Sequence, residues 1–381
     1  MEFKDLFITP MFLVLLYAVA YLVRPRFTDR HTKRYFIPAL TVKFIGAIFL
    51  GIIYQFYYNG GDTYNFTSRG SYYIWEAFLN SPLQALELLF SDGVHKPSTF
   101  EYSSKIRFFH DRSSFFVIRL AAIFGFFTFH TYSSIALFFA TFSFSGLWAF
   151  YQSFYKRHPE ASKHLAIACL FVPSVFFWGS GVLKDTITMG AIGWFTFSSY
   201  ELLVKKRFQL RFILIAVISA YFILSIKLYI FLCLVPAVMF WISSANLALI
   251  KNSYLRFFLA PLLLSIGLVI GFFAITQASR LDGRYALDQL AETARITAYD
   301  IRYYTGKDAG SGYDLGELDG TIGSMVALAP SAVNVALFRP YLWEVNNILM
   351  LISSLESTAM LLLTIYILFY CNTGIIRAIK Y

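Results

Sequence analysis

Charge and cysteine are scarce in this chain. Asp, Glu, Lys and Arg make up only 14% of its 381 residues, against 58% hydrophobic and 19% aromatic residues, a balance outside that of soluble globular domains. Three cysteines, Cys169, Cys233 and Cys371, lie far apart in apolar runs without metal-ligand spacing. They point to neither a disulfide framework nor a zinc site and read as packing residues. Also missing are a Walker lysine loop, an H-E-x-x-H, a G-x-S-x-G and an intramembrane row of carboxylates, so soluble nucleotide chemistry is not expected. No internal repeat, low-complexity tract or soluble domain interrupts the pattern.

Long apolar runs are what the chain has in place of these features. Runs long enough to span a bilayer fall near 7–23, 38–58, 132–154, 165–179, 186–204, 211–226, 229–249, 256–276 and 355–371, which predicts an all-α polytopic membrane protein of about nine transmembrane helices in a single integral membrane domain over 1–381. The first run has no A-x-A-like site after it and reads as a retained helix. The segment 113–130 carries Arg119 in its middle. It is expected as an interfacial helix in the membrane plane, with an ordinary tenth span as the alternative.

The charges follow the expected spans. With 113–130 in the plane, the links at 24–34, 156–163, 205–211, 251–256 and 377–380 share one side and hold sixteen of the 32 basic residues but three of the 22 acidic ones, Asp29, Glu160 and Glu201. Fifteen basic and nineteen acidic residues fall on the other side, and Lys43 stays inside the second helix. The net charge of +10 thus records orientation, not nucleic-acid binding. The amino terminus is expected outside and the carboxyl terminus in the cytoplasm. Two long external segments result. That at 59–130 has a second in-plane helix in "SYYIWEAFLNSPLQALELLF", and that at 277–354 has a surface helix in "RYALDQLAETARITAYDIRYY" followed by flexible "TGKDAGSGYDLGELDG".

The external side holds the candidate chemistry. Asp62, in "YYNGGDTYNF", follows Gly60 and Gly61, which let the backbone turn and approach a ligand closely; a solvated boundary acid is the plain alternative. Lys184 and Asp185 open a helix after the hairpin of "PSVFFWGSGVLKD" and read either as a cap or as functional ions at membrane depth. Lys227 with Tyr229, and Arg339 with Glu344, read as interfacial anchors or, together with Lys184, as cations able to converge on a phosphate. "KIRFFHDRSSFF" places Arg107, His110, Asp111 and Arg112 before the in-plane helix, as a solvated charge run or a substrate-binding edge.

"GGDTYNF", the in-plane segments near 72–90 and 113–130, and "FVPSVFFWGSGVLKD" together resemble the GT-C class of membrane glycosyltransferases and the exopolysaccharide-polymerase-like membrane proteins, over roughly residues 38–210. The "FRPYLWE" region resembles uncharacterised membrane proteins of Bacteroidetes-type bacteria, to which no activity attaches. The resemblance implies a GT-C-like fold in a bacterial inner membrane and transfer or polymerisation of sugars for a cell-surface glycan. Asp62 would be the general base, with Tyr64 beside it. The donor would be linked to a polyprenyl phosphate or diphosphate whose charge Lys184, Lys227 or Arg339 stabilises, and the in-plane helices would bind lipid and the glycan acceptor. Two departures stand out. An extra helix at 7–23 precedes the span that comes first in the simplest members, and the loop lacks an acidic pair, so no cofactor is expected and a divalent metal has no paired motif to hold it. Competing expectations are a transporter of a lipid-linked or anionic solute and a non-enzymatic subunit of an envelope or secretion complex.

Overall fold

A computed structural model describes residues 2–247, 289–305, 313 and 315–370, with single positions at 265, 269 and 276. Most of the expected span at 256–276, the basic links at 251–256 and 377–380, Cys371, the start of the expected surface helix and residues 306–312 after it lie outside the described residues. Among the described residues every regular element is a helix. The chain divides into two compact units, Met1–Leu234 and Val235–Tyr381.

The first unit is built on three long helices, α1 (Asp5–Phe27), α2 (Lys33–Phe56) and α8 (Tyr132–Tyr155), each apolar and long enough to cross a membrane. α1 is apolar on all sides and yet leaves Leu6, Val14 and Leu22 well exposed. A helix of that composition with bare flanks is suited to lipid rather than water. Between α2 and α8 lie the short helices α3 (Asp62–Phe66), α4 (Tyr72–Asn80), α5 (Pro82–Leu89) and α6 (Phe100–Ser103), followed by α7 (Arg112–Phe127).

Both ends of α7 lie at the same end of the bundle. Its start is tied to Lys184, which opens α11 (Lys184–Ser199). After its last turn the Phe129 carbonyl accepts from Lys4 at the start of α1, at 3.3 Å. The backbone N–H of Ser133, at the start of α8, bonds the Asp5 carboxylate at 3.0 Å. The far ends of α8 and α11 also meet, through Lys156 and Glu201 at 3.0 Å. A helix of 16 residues is about 24 Å long, and α7 uses that length to lie across the ends of its neighbours.

The expected spans at 165–179 and 186–204 are present as interrupted helices. α9 (Ser162–Ala166) runs through a π turn at Ile167–Phe171, breaks at Val172 and resumes as α10 (Pro173–Trp178). Pro173 lacks an N–H and disfavours helical geometry in the residue before it, so Val172 is extended at φ −67°, ψ 127°. α11 ends in a second π turn at Tyr200–Val204. α12 (Leu210–Ile226) and α13 (Leu228–Leu247) follow, with Lys227 in the break between them.

Close helix packing rests on small residues. A Cβ on Gly146 of α8 would fall on the Gly190 carbonyl of α11, and one on Gly193 would fall on the Gly146 carbonyl, so the two backbones touch as in other membrane helix pairs. The same crossing buries the ammonium of Lys43, which is 1% exposed. It donates to Ser143 Oγ at 3.0 Å, to the Val175 carbonyl at 3.0 Å and to the Gly179 carbonyl at 2.7 Å. The cation thereby satisfies carbonyls at the end of α10 that have no helical donor.

The second unit contains α14 (Leu290–Thr305), α15 (Ile322–Phe338) and α16 (Ile348–Tyr370). α16 is the fourth helix long and apolar enough to cross a membrane; α12, the described part of α13, and α15 are apolar but shorter. Four long apolar helices, not nine, therefore stand as individual span candidates among the described residues. α15 falls inside 277–354, a segment expected to be an external loop, although it is an apolar helix of 17 residues. Thr321 caps it by accepting from the Ser324 N–H at 3.2 Å.

Candidate functional site

The turn after α2 depends on glycine. Gly60 and Gly61 have φ of 131° and 124°, values that side-chain-bearing residues rarely adopt. The Gly60 N–H bonds the Tyr54 carbonyl at 2.8 Å, and a Cβ on Gly61 would lie 2.7 Å from the Tyr54 ring. The chain therefore folds flat against Tyr54 before Asp62 opens α3. Asp62 is exposed. The Asp62 and Asp185 charges both act on the Tyr54 hydroxyl.

Lys184 and Asp185, neighbours in sequence, face different partners. The Lys184 ammonium reaches Asp111 Oδ2 at 3.4 Å and Ser113 Oγ at 2.8 Å. Asp111 also caps α7 by accepting from the Ser114 N–H at 3.1 Å. Burial would raise the Asp111 carboxyl, but hydrogen bonds from Ser114 and the Lys184 charge hold it below the ordinary carboxylate value. Asp185 forms an ion pair with Lys227, and Tyr229 also lies against that ammonium. Burial alone would lower the Lys227 ammonium; the Asp185 carboxylate outweighs it and the net shift is upward. Lys227 is thus paired across elements instead of reaching outward alone. The N-cap position of α11 is Leu183, whose side chain offers no cap, and Asp185 stands in the first turn. Together the two ion pairs join the start of α11 to α7 on one side and to the α12–α13 break on the other.

The other expected site residues divide. His110, in the loop that ends at Asp111, holds the Gly93 carbonyl through Nδ1 at 2.7 Å, its ring 4.8 Å from that of His95. Arg107 is exposed, its guanidinium 5.4 Å from the Phe108 ring. Tyr64 turns inward. Its hydroxyl is shared between the Gly51 carbonyl and Gln55 Oε1, both at 3.1 Å, and its ring stacks on Tyr132 at 4.7 Å; burial raises the hydroxyl above its ordinary value. Arg339 and Glu344 belong to the second unit and hold each other, with Arg339 Nε 3.1 Å from Glu344 Oε2. Arg339 also lies over the Tyr313 ring at 4.2 Å. The guanidinium is engaged within its own unit. No group of three His, Cys, Asp or Glu placed to hold a metal ion occurs among the described residues.

Sequence reasoning missed three participants. Tyr54 reads as one aromatic among many, and Ser113 as part of a polar run. Lys43 stood out as the lone cation of an apolar helix, which is by default a functional or structural signal, but nothing in sequence pointed to its carbonyl partners more than 130 positions away.

Comparison with known family models, curated proteins and solved structures finds no match. Fold and site together define a helical membrane protein that gathers opposite charges from four segments at one end of its long helices.

Proposed function

We propose that the chain is a GT-C-like glycosyltransferase of a bacterial inner membrane. It would transfer or polymerise sugars from a polyprenyl-phosphate-linked donor on the outer face, for a cell-surface glycan. In this proposal the nine-span map holds, with the amino terminus outside and the carboxyl terminus in the cytoplasm. Asp62 takes a proton from an acceptor hydroxyl as that oxygen attacks the anomeric carbon and the bond to the lipid phosphate breaks. Lys184 and Lys227 meet the negative charge that develops on the departing phosphate.

The observation that carries the proposal is the pair of ion contacts at the start of α11, Lys184 with Asp111 and Asp185 with Lys227, with the Asp62 and Asp185 charges both acting on Tyr54. The test is the set of lipid-linked saccharides in a deletion strain complemented with wild type or Asp62→Asn. An amide cannot accept the proton, so extension should fall by roughly 100-fold to 10,000-fold while the protein stays in the membrane. Normal extension with Asp62→Asn would remove the base and the enzyme with it.

A non-enzymatic membrane subunit is the second reading, and one observation favours it. Both lysines already hold carboxylates, Asp111 and Asp185, so the charges serve as internal ties unless a donor phosphate displaces them. In that case the deletion strain makes normal glycans.

A further inference from the structure

At the end of the first unit away from Asp62, a cleft of 440 Å³ opens among α1, α2, α8 and α11, within the size range of ligand pockets. Its body is apolar, with Leu16, Phe36, Phe144 and the faces of Trp148 and Trp194 among its walls. The indole N–H groups are both engaged: Trp148 Nε1 donates to the Phe27 carbonyl at 3.1 Å and Trp194 Nε1 to Ser145 Oγ at 3.0 Å. Neither indole N–H is left needing a partner from a ligand in the cleft.

The mouth is polar and basic. Arg26, Asp29, Gln152 and Lys156 border it, and the acids at this end are already held. Asp29 accepts from the His31 and Thr32 N–H groups, each at 2.9 Å. Glu201, 2% exposed, takes Lys156 at 3.0 Å and Arg207 at 3.3 Å. Arg26 has no carboxylate partner among the described residues, and the neighbouring turns add Arg24, Arg30, Lys33, Arg34 and Arg157.

We infer that this cleft is a binding site for an anionic glycerophospholipid, its acyl chain along the aromatic walls and its phosphate at Arg26. A free phosphate would leave the apolar body bare to water. A zwitterionic lipid would bring its own ammonium against Arg26. Basic pockets between membrane helices take anionic headgroups for this reason, and Arg offers a two-pronged donor to phosphate oxygens. The assignment does not depend on the proposed glycosyl transfer.

The test uses the full chain in phosphatidylcholine vesicles containing a minor fraction of either phosphatidylglycerol or phosphatidylcholine with brominated acyl chains, which quench nearby indoles. The Trp194 signal is taken as the difference between wild type and Trp194→Phe. Brominated phosphatidylglycerol should quench Trp194 at roughly fivefold lower mole fraction than brominated phosphatidylcholine, the factor that about 1 kcal/mol from one cation gives. In Arg26→Gln, an exposed position at a helix end, that preference should vanish while melting is unchanged. Equal quenching by the two lipids in wild type overturns the site. So does a preference that survives Arg26→Gln, since the lipid would then be gathered by the basic surface as a whole.

Discussion

Lys43 is the residue whose surroundings decide most. Its ammonium is buried with three oxygen acceptors, and all three belong to other elements. Truncation to an apolar side chain of similar length leaves the Ser143 hydroxyl and two carbonyls without their donor, each buried unsatisfied group costing about 1–3 kcal/mol. Lys43→Met should therefore lower the melting temperature in detergent markedly and loosen the turn at 179–183, which carries Lys184 into place. An unchanged melting curve would show that the carbonyls find other donors and that the ammonium is not what holds α10. By contrast Arg339 and Glu344 are satisfied within a few residues of each other, an arrangement that a sequence reader can anticipate from spacing alone.

Among the elements, the crossing of α8 and α11 is the least tolerant. Two backbones meet at Gly146, Gly190 and Gly193, and an added methyl at Gly146 meets a carbonyl, not a side chain that can swing away. Gly146→Ala should cost more stability than the 1–3 kcal/mol typical of overpacking, seen as loss of folded protein on size-exclusion chromatography. If Gly146→Ala folds and melts as wild type, the helices do not cross that closely. How much of this was legible varies by element. The break before Pro173 and the turn at Gly60–Gly61 follow from local backbone chemistry, and the structure has both. A helix over 113–130 was legible, and α7 covers Arg112–Phe127, tied at its start to Lys184 and just past its end to Lys4. Pairing was not legible. Lys184 and Asp185 looked like one unit because they are adjacent, whereas consecutive helical residues point about 100° apart and each meets a different neighbour, 73 and 42 positions away. α15 is apolar but, at 17 residues, short for a span and interrupted by Pro330, and in sequence it reads as part of an external segment.

For the whole molecule, the proposed orientation makes one end of the first unit external and the other cytoplasmic. The ends are marked by residues far apart in sequence: Asp62, Asp111, Lys184 and Lys227 at one, Lys156, Glu201 and Arg207 at the other. Reporter cysteines must sit on exposed side chains. Ser68 and Gln209 are both exposed and lie at opposite ends. With the native cysteines replaced, Ser68→Cys in intact cells should react with an impermeant thiol reagent, and Gln209→Cys should react only after the membrane is opened. Basic links at the Gln209 end are the ones that the positive-inside tendency keeps in the cytoplasm. Labelling of Gln209→Cys from outside, with Ser68→Cys protected, would invert the protein. Asp62 would then face a compartment supplied with sugar nucleotides, and the need for a lipid-linked donor would disappear. Labelling of both positions from outside would mean that the helices between them do not cross the membrane as a set, and the charge asymmetry would have to be explained by a surface partner instead of a bilayer.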